Sequence, residues 1–287
     1  MTAAPAAGPG PQTLGAGPAV LLKRLDALLE GWGTDAGAAP MIMPPLIPVA
    51  DLSRLDVYEN FPHQALVVST LDLAHHQSGS AHERFAPDDL EPALFGLPSA
   101  ACFAVYLHHE GRALPDGTAV TVLGRCFRRE EHYDGLRRLL GFHMREIVAL
   151  GSYDFTQEHL RRFEERVIAL TDALGLTVRK EAATDPFYDR GGQRALLQRL
   201  SPVKHEFIVD DLAIASLNVH RNFFGERCGI TLESTGQPVH TSCAAFGLER
   251  WLSVLYTRYG SWEAATEAVE KAASALGGAP RTGGAER

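Results

Sequence analysis

No stretch of this 287-residue chain approaches 18 consecutive apolar residues, which excludes a helical membrane span. Cysteine is scarce. Four in such a length cannot build a disulfide scaffold, and free thiols in a reducing, cytoplasmic setting are expected. Positive charge is short as well: 27 Lys and Arg against 35 Asp and Glu leave a net charge of −8, with no global attraction for nucleic acid. The first residues carry neither a basic segment nor an apolar core and do not read as a secretory signal. The phosphate loop GxxxxGKS/T, a GxGxxG turn, HExxH, CxxC and GxSxG are all missing, so any nucleotide chemistry must rely on side chains. What is present is ordinary for a globular protein, 45% hydrophobic and 22% charged residues.

Residues 1–19 are mostly Ala, Pro and Gly without periodicity and read as a disordered tail, as do residues 277–287. A single domain over 20–276 is expected between them. Apolar residues recur at helical steps in Val20–Glu30 and in Glu158–Leu174, the latter with Thr156 as N-cap and Gly175 as the residue past its end. Ser261–Leu276 reads as a further helix. Strand-like runs fall at Leu66–Leu71, Ala119–Arg128, Phe142–Leu150, Leu176–Glu181, His205–Asp210, Leu212–Leu217 and Gly229–Glu233. Most follow one another without a helix between them. That order predicts an α+β fold with an antiparallel sheet flanked by helices, not a doubly wound α/β fold.

Chemistry concentrates in Gly124–Leu150, two strands around a charged loop. Side chains alternate along a strand, so Cys126, Arg128 and Glu130 share one face of the first and Phe142 and Glu146 one face of the second. An antiparallel return would gather Arg128, Glu130, Arg138, Phe142 and Glu146 into one patch. Two arginines, an aromatic face and two carboxylates suit an anionic ligand carrying a base, such as ATP. Charged residues on a hairpin also form exposed ion pairs of little energetic value, and the hairpin alone does not decide between the two.

The pattern Phe127-Arg128-Arg129-Glu130, then Leu136, Arg138, Phe142 and Glu146, resembles motif 2 of class II aminoacyl-tRNA synthetases. Ala244–Trp251 (AAFGLERW) resembles motif 3, with Gly247 opening a helix that carries Arg250, and Leu46–Gln64 is similar to the motif 1 region. Within that superfamily the chain resembles the atypical zinc-dependent seryl-tRNA synthetases and their truncated relatives, the amino acid:carrier-protein ligases. Their Cys…Glu…Cys zinc site falls on Cys102, Glu146 and Cys243, and Val203–Gly225 is similar to the segment before their motif 3. Two thiolates and a carboxylate leave a fourth tetrahedral position open, as in a catalytic site, where a free α-amino group could bind. Each cysteine taken alone would read as a small buried apolar residue, as Cys126 and Cys228 do. His108 and His109, in what reads as a strand-to-turn region, and His75 and His76 read as exposed or structural.

The resemblance implies a class II fold, usually homodimeric, and activation of a small amino acid as its adenylate with ATP and Mg2+. It assigns catalysis to Arg128, Glu130 and Arg250, and ATP binding to those three with Arg138, Phe142, Lys204, Ala215 and Ser216. Lys204 and Glu206 sit at the family's nucleotide contacts. Glu130, Glu146 and Asn218 would face the amino acid. The acceptor implied is the phosphopantetheine thiol of a carrier protein, with tRNA disfavoured by the acidic balance and the short segment before motif 1. Alternatives are a tRNA-charging enzyme and a non-catalytic regulatory paralogue. Arg161, Arg162 and Arg166 on the Glu158–Leu174 helix offer either a carrier-docking patch or a solvated face.

Overall fold

The computed structural model describes residues 13–74, 84–185, 187–189 and 203–277. Residues 1–12 and 278–287 of the expected tails, and His75 and His76, lie outside the described residues. In chain order, α1 (Ala16–Asp35) leads to β1 (Ala39–Ile42), β2 (Ile47–Pro48), α2 (Val49–Arg54), α3 (Val57–Asn60), β3 (Leu66–Val68) and β4 (Phe95–Leu97). Next come α4 (Cys102–His108), β5 (Ala113–Leu114), the hairpin β6 (Thr118–Phe127) and β7 (Gly141–Gly151), and α5 (Tyr153–Ala173). The rest is β8 (Val178–Ala183), β9 (Lys204–Val209), β10 (Leu212–Arg221), α6 (Phe223–Arg227), β11 (Thr231–Leu232), β12 (His240–Gly247), α7 (Leu248–Tyr259) and α8 (Trp262–Ala275).

Seven strands form the main sheet in the order β1-β6-β7-β12-β10-β9-β8. All its pairings are antiparallel except β1 with β6. The expected α+β class with its antiparallel sheet is what the chain adopts. One face of the sheet buries Ile147, Leu217, Ala244 and Phe246 beneath α1, α5, α7 and α8. The other packs Val122, Cys126, Val148, Cys243 and Ala245 against Val105 and Tyr106 of α4 and Phe224 of α6. Odd- and even-numbered residues of β7 thus serve different layers, as the period of two requires.

Local chemistry sets the helix ends. Helix α5 starts at Tyr153, because the Ser152 side chain accepts the Phe155 N–H at 3.2 Å. Thr156 is therefore not the cap: it is buried in the first turn, its hydroxyl donating to the Tyr153 carbonyl. Gly175, at φ +60°, does end the helix, with Gly175 N–H on Asp172 O at 3.0 Å and Leu176 N–H on Thr171 O at 2.9 Å. That closure uses Leu176, so the next strand begins two residues later than its composition suggests.

Other boundaries move too. Helix α1 begins at Ala16, so residues 16–19 are helical and not part of a tail. The run at Leu66 narrows to three residues in a separate sheet of order β2-β4-β3, and the run at Gly229 narrows to β11, parallel to β5. His108 ends a helix, with His109 as its cap, where a strand was expected.

Candidate active site

Three buried ligand atoms converge where α4, β7 and β12 meet. The sulfurs of Cys102 and Cys243 and a Glu146 carboxylate oxygen all lie within 4.8 Å of one another. Cys102 opens α4; Glu146 and Cys243 point from adjacent antiparallel strands, two residues out of register. Glu146 Oε1 accepts the Ala101 N–H at 2.7 Å, fixing the carboxylate. Around Cys243, the Asn218 side-chain amide donates to the sulfur at 3.3 Å and His220 Nε2 lies 3.9 Å away.

The hydrogen bond to Cys243, then burial and the Glu146 charge, push the Cys102 thiol well above its ordinary range. Cys243 gains from accepting that bond, yet burial and Glu146 still raise it. Without a cation the two thiols resist ionisation; a soft divalent ion would reverse that balance. Two sulfurs and a carboxylate are a donor set that suits zinc. The residues fit the metal. Cys126 and Cys228, the other two cysteines, are buried outside this group, burial pushing the first thiol up and the second to about 11.

The triad opens on a cavity of about 420 Å3. Asn218, His220, Phe103, Phe224 and Phe187 line it, and Phe187 is stacked on Phe61 at 5.4 Å. A second space of about 90 Å3 is lined by Arg128, Glu130, Arg138, Phe142, Lys204, Glu206, Ala215, Ser216 and Arg250. Arg128, Met144, Lys204, Ser216 and Ala245 face both spaces, so the two adjoin. The structure brings together all the residues expected at the nucleotide; of the patch expected from the hairpin alone, Glu146 lies in the neighbouring cavity. It is four residues along β7 from Phe142, about 13 Å at strand spacing.

The arginines hold substitutes for a ligand. Arg128 donates twice to the Ser99 carbonyl, at 3.1 and 2.9 Å, with its guanidinium carbon 5.2 Å from the Phe142 ring centroid. Arg138 pairs with Glu130 at 2.8 Å. Arg250 rests on the carbonyls of Arg137 and Ala213, both at 3.1 Å. Burial first, then the Arg128 charge, pull the Arg250 guanidinium below its ordinary range. A polyanion would relieve that repulsion. Lys204 is already paired with Asp185 and Glu206, at 3.3 and 3.2 Å.

On α5, Arg161 is paired with Glu158 and Glu165, and Arg166 lies over Trp32 and near Asp35. These arginines act within the helix and its neighbours, which favours the solvated face over a docking patch. Sequence reasoning passed over His220, although it follows Ser216 and Asn218 with the same alternation on β10. Two buried charges behind the sheet were also missed. Arg145 grips Asp26 with two bonds, at 2.8 and 3.0 Å, and Glu249 holds His143.

No protein-family model matches the chain. Among solved structures it is similar to the seryl-tRNA synthetase of M. kandleri, seen in complex with A. aeolicus tRNASec: TM-score 0.76, 21% identity, 96% of this chain and 59% of that one. It is also similar to Giardia lamblia prolyl-tRNA synthetase with prolyl-adenylate: TM-score 0.66, 13% identity, 88% of this chain and 48% of that one. The fold is the class II aminoacyl-tRNA synthetase fold. Amino acid–[acyl-carrier-protein] ligases 1 and 2 of Bradyrhizobium diazoefficiens are each 34% identical, over 84% and 77% of this chain and 77% and 70% of theirs. The chain belongs to that ligase family. A type-2 serine–tRNA ligase of Methanococcus maripaludis is 29% identical over 51% of this chain and 31% of its own.

Proposed function

We propose that this chain activates a small amino acid with ATP and passes it to the phosphopantetheine thiol of a carrier protein. The observation that carries the reading is the junction of the two spaces: an arginine-lined slot opens, past Arg128, onto a thiol–carboxylate site. In the first half-reaction the amino acid carboxylate attacks the α-phosphorus of ATP. A C–O–P bond forms, the bond to the β-phosphate oxygen breaks, and pyrophosphate leaves. Arg128 meets the α-phosphate, Arg250 and Arg138 the terminal phosphates, and Phe142 the adenine face, with Glu130 accepting from its exocyclic amine. Lys204 and Ser216, at the junction of the two spaces, and Ala215 complete the nucleotide wall. Catalysis is then positioning and charge stabilisation, with Mg2+ arriving on ATP.

Cys102, Glu146 and Cys243 would hold zinc, which when bound supplies a Lewis-acidic position for the amino group of the substrate. Asn218, beside Cys243, faces the amino acid. In the second half-reaction the carrier thiolate attacks the mixed anhydride carbonyl. A C–S bond forms, AMP departs with the C–O electron pair, and the thiol proton is lost to solvent.

A net charge of −8 supports a carrier over tRNA. Four buried free thiols support a reducing cytoplasm, and no described helix is long and apolar enough to cross a membrane. Exposed Ile42, Val67 and Phe95, on β1, β3 and β4, support a homodimer, which sedimentation would measure. The decisive experiment is amino-acid-dependent exchange of pyrophosphate into ATP, then intact-mass analysis of holo and apo carrier. A hydroxylamine-labile increment on holo carrier alone is expected. Equal labelling of apo carrier, or efficient tRNA charging, overturns the reading.

A further inference from the structure

Glu249 is 3% exposed and has no part in the chemistry above. Both of its oxygens are used on one residue of β7. The His143 backbone N–H donates to Oε2 at 2.8 Å, and the His143 ring nitrogen Nδ1 lies 2.6 Å from Oε1. A carboxylate only accepts, so Nδ1 carries the proton. Arg125, on the paired position of β6, brings Nη1 against the ring, 3.1 Å from Nδ1 and 3.0 Å from Nε2. An Arg125–His143–Glu249 chain thus runs from β6 through β7 to the first turn of α7.

We propose that Glu249 is a positioning residue for ATP, locking Arg250 and Phe142 into a fixed separation. Glu249 precedes Arg250 on α7; His143 follows Phe142 on β7 and faces the opposite side of the sheet. One carboxylate therefore joins the backbones that carry the aromatic platform and the buried guanidinium. Arg250 cannot provide this itself. Its own contacts, from Nε and Nη1 to the carbonyls of Arg137 and Ala213, tie it to those residues and not to β7. Glu249 lines the same slot and supplies the tie to β7 through the His143 N–H. Burying a carboxylate is costly unless its bonds are met, and here they are met by the strand being positioned.

The inference rests on the nucleotide reading of the arginine slot. Its test is calorimetric titration with Mg·ATP, alongside pyrophosphate exchange with ATP and amino acid varied in turn. Glu249→Ala is expected to weaken ATP binding and raise KM for ATP by about tenfold, with KM for the amino acid unchanged. Glu249→Gln, whose amide oxygen still accepts the His143 N–H, is expected to recover to within about threefold of the native enzyme. ATP affinity in Glu249→Ala within twofold of native overturns the proposal, as does an equal rise in the amino acid KM. Should the alanine variant fail to fold, Glu249→Leu, which fills the space but accepts no hydrogen bond, takes its place, and unchanged ATP affinity there overturns the proposal too. A native chain that binds no ATP defeats the nucleotide reading itself, and the proposal with it.

Discussion

The two faces of the main sheet treat buried charge differently. Behind the sheet, under α1, α5, α7 and α8, buried groups have partners: Arg145 has Asp26, Glu249 has His143, and the buried His159 of α5 donates its Nε2 hydrogen to the Ile147 carbonyl at 2.9 Å. Toward the cavities the groups crowd one another, even though Glu130 pairs with Arg138 and Glu206 with Lys204. Arg250 sits among Arg128 and Arg138, and two thiols crowd a carboxylate. Matched pairs hold a fold together; perturbed groups crowded beside a cavity mark a candidate ligand site. The contrast separates the structural layer from the reactive one without reference to motifs.

The sharpest way to break the contrast is to remove one member of the converging cluster. Cys102→Ala and Cys243→Ser should each lose bound zinc, expected at about one ion per chain in the native protein, and pyrophosphate exchange with it. Metal content by mass spectrometry checks the first effect and the exchange assay the second. Full activity in a demonstrably metal-free preparation would show that the cluster is structural.

Arg250→Ala should cut exchange by about a hundredfold or more, since one buried donor at a developing charge is worth about 3 kcal/mol. Its melting temperature should hold, because the substitution also removes the repulsion from Arg128 and Arg138. Collapse of the fold in place of activity would move Arg250 to the structural layer.

The smallest effect tests the matched face. Burial holds His159 neutral and lowers its pKa from 6.5 to about 4. Between those values the unfolded chain binds the extra proton, so stability rises with pH and is lost as pH falls below about 6.5. From pH 7 to pH 5 the loss from this residue should be about 2 kcal/mol. His159→Gln, which does not titrate, should flatten the pH dependence of denaturant midpoints by that amount. An unchanged slope would place the acid sensitivity elsewhere.

Much of the site was readable because strand alternation is a local rule. It puts Arg128 with Cys126 and Phe142 with Glu146 on one face, and the structure keeps both pairs there. Alternation says nothing about distance along the strand, so one expected patch divides into two adjoining spaces. It is also silent on β1, a parallel neighbour that reaches β6 across 75 residues of sequence or more, and on β3, whose narrow separate sheet depends on β4. The tie between His143 and Glu249 links positions 106 apart and has no local signature.

By itself the sequence determined the α+β class, the long hairpin, the end of α5 at Gly175 and the identity of the donors, because turns, caps and alternation act over a few residues. Only the tertiary structure decided that Cys102, Glu146 and Cys243 meet within 4.8 Å and that Arg128 stands between two cavities. Those meetings join a helix to two strands through the packing of a shared core. Packing is a property of the whole chain, and no window of neighbouring residues contains it.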